Sequence, residues 1–120
     1  MNILLDALNW LAVPAHWLGE SGILVRATEH LGLTLLIVAL AALIALPLGT
    51  WIGHTGRGRW LVSATGAARA VPTLGVLTLA GLWLGIGLAA PTLALLILAI
   101  PPLLSATYSG IASTPRATVD

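Results

Sequence analysis

Few residues in this sequence can do chemistry at all. Its ionisable side chains are three histidines, four carboxylates, five arginines and one tyrosine, with no cysteine and no lysine. The absence of cysteine removes disulfides, thiolate metal sites and thiol nucleophiles together. His16, His30 and His54 have no helical or loop spacing that would converge on one ion. They are therefore read as interfacial side chains at segment boundaries, and no metal residue is assigned. Gly53, Gly56 and Gly58 around Arg57 have the glycine density of a phosphate loop. No strand precedes them and no Lys-Ser/Thr follows, so they are read as a flexible turn and not as a nucleotide site. Serine and histidine form no triad pattern. No catalytic residue, no cofactor and no enzyme activity is expected.

The placement of the carboxylates says more than their number. Asp6, Glu20 and Glu29 lie near the start, and the next carboxylate is Asp120. A carrier coupled to protons or sodium usually keeps ionisable groups inside the membrane, because a relay needs something to titrate. If this chain moves a solute, the energy comes from elsewhere, which points to an ATP-driven partner or to no transport at all.

The elements that would position such a path follow from composition. The chain has 120 residues, 58% of them hydrophobic and 8% charged. Its mean hydropathy is +1.03. A soluble domain carries about 25% charged residues, so lipid is the solvent that suits this sequence. The net charge of +1 offers no basic field for nucleic acid.

From Leu31 to Gly53 no residue is ionisable. At ~1.5 Å per residue a helix of that length crosses the ~30 Å hydrocarbon core. A second such stretch, Ala70 to Pro115, is interrupted by Gly85, Gly87 and Pro91. It is long enough for two spans, with Pro91 in the first turn of the second. The expected spans are about 30–53, 70–88 and 91–111. A buried soluble helix pair is the competing reading for 70–115, and nothing else in the chain could cover it.

Residues 1–29 form a separate segment. Asn2, Asp6 and Asn9 fall on one helical face, opposite Leu4, Leu8 and Leu11, and Trp10 and Trp17 suit a headgroup boundary. An interfacial amphipathic helix is expected there, against the plainer reading of a frayed apolar terminus. The fold expected is thus all-α and membrane-integral, three spans preceded by an interfacial helix. Arg57, Arg59, Arg69 and Arg116 against Arg26 place the loop and tail in the cytoplasm and the N-terminus outside.

Small residues and prolines add detail. Gly49 and Gly53, like Gly81 and Gly85, stand four apart, a spacing that opens a helix face to close packing in lipid. Pro47 falls late in the first span, Pro72 opens the second, and Pro101 and Pro102 stand near the middle of the third. The last two deprive the carbonyls of Ile97 and Leu98 of their usual donors. Broken helices near the midplane often line a substrate path, while a packing kink is the plainer reading of each proline.

Taken in order, these pieces resemble the ABC-type permeases that import osmoprotectants such as glycine betaine, choline and carnitine. The run His30-Leu31-Gly32-Leu33-Thr34-Leu35, followed by Ala45-Leu46-Pro47-Leu48-Gly49, is similar to their first core helix. Arg69-Ala70-Val71-Pro72-Thr73-Leu74 resembles the entry to their second helix, and Leu84-Gly85-Ile86-Gly87 its exit. Pro102-Leu103-Leu104-Ser105-Ala106-Thr107-Tyr108-Ser109-Gly110-Ile111 resembles the family's Pro…Thr-Tyr-Thr-Gly-Ile stretch. Ser105-Ala106 stands where the family usually has Arg-Asn.

The resemblance implies part of a type I ABC importer permease fold over residues 30–120. Asp120 falls where the acidic first residue of the ATPase-docking coupling loop would be. It further implies an ATP-binding subunit, a second permease copy, an extracytoplasmic binding protein and membrane lipid as partners. If the spans pack as in the family, Pro72, Thr73, Pro101, Pro102, Thr107 and Tyr108 face one translocation cavity. The rival readings are a permease for an amino acid or sulfonate, and a small membrane protein that only packs against partner helices.

Overall fold

The computed structural model describes residues 2–68 and 70–115. Among these the regular structure is entirely helical: α1 (Ile3–Leu11), α2 (Ile23–Thr55), α3 (Arg59–Ala68), α4 (Thr73–Leu84) and α5 (Ala89–Ala112), with one 3₁₀ turn at Pro14–His16. In lipid every backbone donor and acceptor has to be satisfied within the segment, which leaves helix as the solution for apolar runs of this length. The chain forms two units, Met1–Leu35 and Leu36–Asp120.

In the first unit, α1 buries none of its residues, leaving Ile3 and Leu4 about three-quarters exposed. The carbonyls at its C-terminal end, which lack helical donors, are met by side chains from the end of the 3₁₀ turn and the residue after it. The Trp17 indole N–H donates to the Leu11 carbonyl at 2.7 Å, and His16 Nδ1 lies 2.7 Å from the Trp10 carbonyl. The His16 ring stacks on Trp10 with centroids 4.1 Å apart. These contacts reverse the chain so that α2 can begin at Ile23.

α2 starts seven residues before the expected span at 30. Arg26 and Glu29 were read as lying outside the helix, yet at i and i+3 on one helical face they pair at 2.8 Å. The other end of α2 is set by glycine. Gly56 adopts φ +69°, and its N–H bonds the Ile52 carbonyl at 2.8 Å, the geometry of a left-handed helix stop.

The glycine-rich turn expected there is Gly56–Gly58, but the rest of the loop between the first two spans is largely helical, since Arg59–Ala68 forms α3. The second span, expected at about 70–88, is not a single long helix. α4 has 12 residues, about 18 Å of rise against a ~30 Å core. Two helices, α2 and α5, are each long and apolar enough to cross a membrane. A third crossing exists only if α3 and α4 are counted together across the 93° bend between them.

The second unit has two packed patches. Ala80 of α4 meets Ala90 and Ala94 of α5, small side chains that let two backbones come close, with Val76 and Leu77 around them. Ala45 and Ile52 of α2 meet Leu104 of α5, flanked by Leu61 and Val62 of α3 and by Leu103 and Tyr108. Outside these patches large apolar side chains such as Leu43, Leu74, Leu79, Leu82 and Trp83 face outward. Lipid is the environment that makes such a surface stable, and the chain is a membrane protein.

Candidate functional site

The prolines of α5 organise the site. Of the two readings open for Pro101–Pro102, a broken helix or a kink, the structure shows no break: α5 runs from Ala89 to Ala112 with both prolines inside. Proline's fixed φ is itself helical, so the turn survives while two N–H donors are lost. The carbonyls affected are those of Ile97 and Leu98. Ile97, Leu98, Pro101 and Pro102 line a cavity of about 330 Å³, closed on the other side by Ala68 of α3, Val71 and Thr73 and Val76 of α4. A volume of this size is at the lower end for a small-molecule site.

Not all expected path residues meet there. Thr73, Pro101 and Pro102 line this cavity. Pro72 stands just outside it as the residue before α4, its carbonyl accepting from the Val76 N–H at 3.2 Å. Thr107 and Tyr108 do not line it. They lie on the part of α5 that packs against α2, so within this chain the six residues do not line a single cavity. The Thr107 hydroxyl donates to the Leu103 carbonyl at 2.8 Å, turning its methyl outward from that bond. Tyr108 packs on the patch of Ala45, Ile52 and Leu104.

The glycines explain how α2 and α5 come together. A Cβ on Gly49 would lie 2.7 Å from Thr107 Cβ, and one on Gly53 would lie 2.8 Å from Ile111 Cβ. Ordinary carbon contacts are about 3.5–4.0 Å, so neither position accepts a side chain without a shift. Around Gly81 and Gly85 nothing lies within 4 Å. Gly85 instead serves the exit of α4, with φ +80° and its N–H on the Gly81 carbonyl at 2.9 Å. Asp120, the expected start of the coupling loop, and Arg69 lie outside the described residues.

The chemistry available to the cavity is narrow. Among the described residues its walls carry one hydroxyl, Thr73, and no ionisable side chain. Among the described residues no group of three His, Asp or Glu could hold a metal. What the described residues present is an apolar surface bordered by the two prolines, which cannot donate to the Ile97 and Leu98 carbonyls. Of the lining residues, Ala68, Val71 and Val76 carried no sequence signal, being apolar residues in an apolar chain. Ile97 and Leu98 were marked only through the prolines four positions on.

The comparisons with known proteins bear on the same chain of residues. Over 84 residues it is 31% identical to the carnitine transport permease protein OpuCD of Listeria monocytogenes serotype 1/2a (strain 10403S), and equally to OpuCD recorded for Listeria monocytogenes. Over that stretch the chain is similar to a transport permease, in line with the resemblance of its motifs. The matched stretch is 69% of this chain and 38% of the length of either relative, so the chain spans well under half of the permeases it matches. No protein-family model matches it, and no solved structure does.

Proposed function

We propose that this chain supplies membrane-spanning helices of a permease subunit in a binding-protein-dependent ABC importer. Its solute is a small quaternary ammonium compound such as carnitine, glycine betaine or choline. A separate subunit hydrolyses the ATP, a second permease copy completes the path, and an extracytoplasmic binding protein delivers the solute. The 31% identity to a carnitine transport permease carries this reading. We place the N-terminus outside and the C-terminus in the cytoplasm from the arginine distribution, an orientation that requires α3 and α4 together to supply a third crossing between α2 and α5.

The cavity beside Pro101 and Pro102 fits the proposal chemically. A quaternary ammonium has no proton to lose, so it crosses as a permanent cation and is better guided by weak dipoles than by a fixed charge. Carbonyl dipoles freed by the prolines attract it weakly. Motion then requires only that α4 and α5 shift around a site that does not titrate, with the energy supplied outside the chain.

Membrane vesicles carrying the chain with its ATPase, second permease and binding protein test this. Labelled carnitine should accumulate only with ATP on the ATPase side. Accumulation driven by a proton or sodium gradient without ATP would overturn the reading, and ATP-driven uptake of sulfonates or amino acids alone would reassign the solute.

A further inference from the structure

A second cavity, of about 690 Å³, lies wholly within the first unit, between the 3₁₀ turn and the opening turns of α2. Its lining includes Trp10, His16, Ser21, Arg26 and His30. Arg26 is the one arginine before residue 57, and His30 follows it at i+4, on the same face of the helix. From Leu31 onward the helix has no ionisable residue until His54. In a bilayer the end of such an apolar stretch marks the boundary with the headgroups, and the exposed Ile3, Leu4 and Leu8 of α1 require lipid close by. The cavity therefore sits at phosphate depth.

Arg26 and His30 are the charged or titratable lining residues besides His16, and Glu29, outside the lining, stands at the rim through its pair with Arg26; together they choose among headgroups. One Arg26 nitrogen donates to Glu29 at 2.8 Å, and the remaining guanidinium N–H groups have no partner among the described residues. Two cation-bearing or donating side chains suit a phosphate. A purely anionic headgroup would also meet the Glu29 carboxylate, which repels it. A choline headgroup brings a cation with no N–H to give that carboxylate. An ethanolamine headgroup has both parts, a phosphate for Arg26 and His30 and an ammonium with three donors for Glu29.

We propose that this cavity holds the headgroup of phosphatidylethanolamine, its phosphate on Arg26 and His30 and its amine on Glu29, anchoring the first unit to one leaflet. The test is lipid retention by the whole chain, extracted from liposomes of equal phosphatidylethanolamine, phosphatidylcholine and phosphatidylglycerol and weighed by native mass spectrometry. Phosphatidylethanolamine should be retained selectively. Arg26→Gln and Glu29→Gln should each reduce its retention about ten- to a hundredfold, as expected for loss of one charge-assisted hydrogen bond. Ser21→Trp should expel the lipid by filling the cavity, with helicity in far-UV circular dichroism unchanged. Retention unaffected by Arg26→Gln or by Ser21→Trp would overturn the proposal, as would preference for phosphatidylglycerol. Equal binding of soluble glycerophosphoethanolamine in detergent would overturn the lipid as occupant.

Discussion

Substituting alanine at Gly49 sets a methyl group against the backbone and side chain of α5. The new carbon would lie 2.7 Å from Thr107 Cβ, 2.9 Å from its Cγ2 and 3.2 Å from the Leu104 carbonyl oxygen. Relief to an ordinary contact needs α2 and α5 to part by about 1 Å. Overpacking of this kind costs about 1–3 kcal/mol. Replacing a helical glycine also returns about 0.5–1 kcal/mol through backbone entropy, so the control has to be another helical glycine.

Gly81 of α4 serves, since nothing lies within 4 Å of its added carbon. Gly81→Ala should be neutral or stabilising, and Gly49→Ala should fall below it by about 1–3 kcal/mol. Removing Thr107 Cβ relieves the clash, so Gly49→Ala with Thr107→Gly should recover most of the loss in a double-mutant cycle. The assay is reversible unfolding of the purified chain in mixed micelles with rising dodecyl sulfate, followed by tryptophan fluorescence. Equal midpoints for Gly49→Ala and Gly81→Ala, or no coupling with Thr107→Gly, would refute this account of the α2–α5 contact.

Other outcomes follow from the same geometry. Pro101→Ala with Pro102→Ala returns donors to the Ile97 and Leu98 carbonyls. It should stabilise the chain in the same micelle assay while lowering carnitine uptake by about tenfold if the freed dipoles assist passage. Thr73→Trp fills the 330 Å³ cavity and should abolish uptake while leaving capture by the binding protein intact, read by transport and by equilibrium binding. For orientation, an impermeant thiol reagent applied to intact cells should label Ser21→Cys and spare Thr55→Cys. Reversed labelling would invert the assignment.

Much of the helix layout was legible from where charge is missing. Leu31–Gly53 falls inside α2, the Gly85–Gly87 turn separates α4 from α5, and Pro91 stands in the first turn of α5. Charge was a poorer guide at the edges. Arg26 and Glu29 belong to α2 because their i,i+3 pair keeps both charges on a helix face, at a depth where water or headgroups reach them. α3 was hidden by Gly56, Gly58 and Arg59, which resemble a loop until the chain commits to helix right after its turn. Tyr108 was grouped with the prolines by order along the chain. Six residues of helix carry it round to the α2-facing side, where Leu104 and Ile52 receive it. Which apolar residues wall the cavity was not legible, because lipid-facing and cavity-facing positions are chemically alike here.

The central claim is that a quaternary ammonium passes the cavity beside Pro101 and Pro102, and one measurement bears on it most directly. Thr73→Cys, in the assembled transporter, is exposed to a trimethylammonium thiosulfonate reagent with and without carnitine, with Leu95→Cys on the outward face of α5 as reference. Modification should be fast at residue 73, slowed by carnitine, and negligible at residue 95. Equal rates at both positions, or no protection by carnitine at residue 73, would contradict the account.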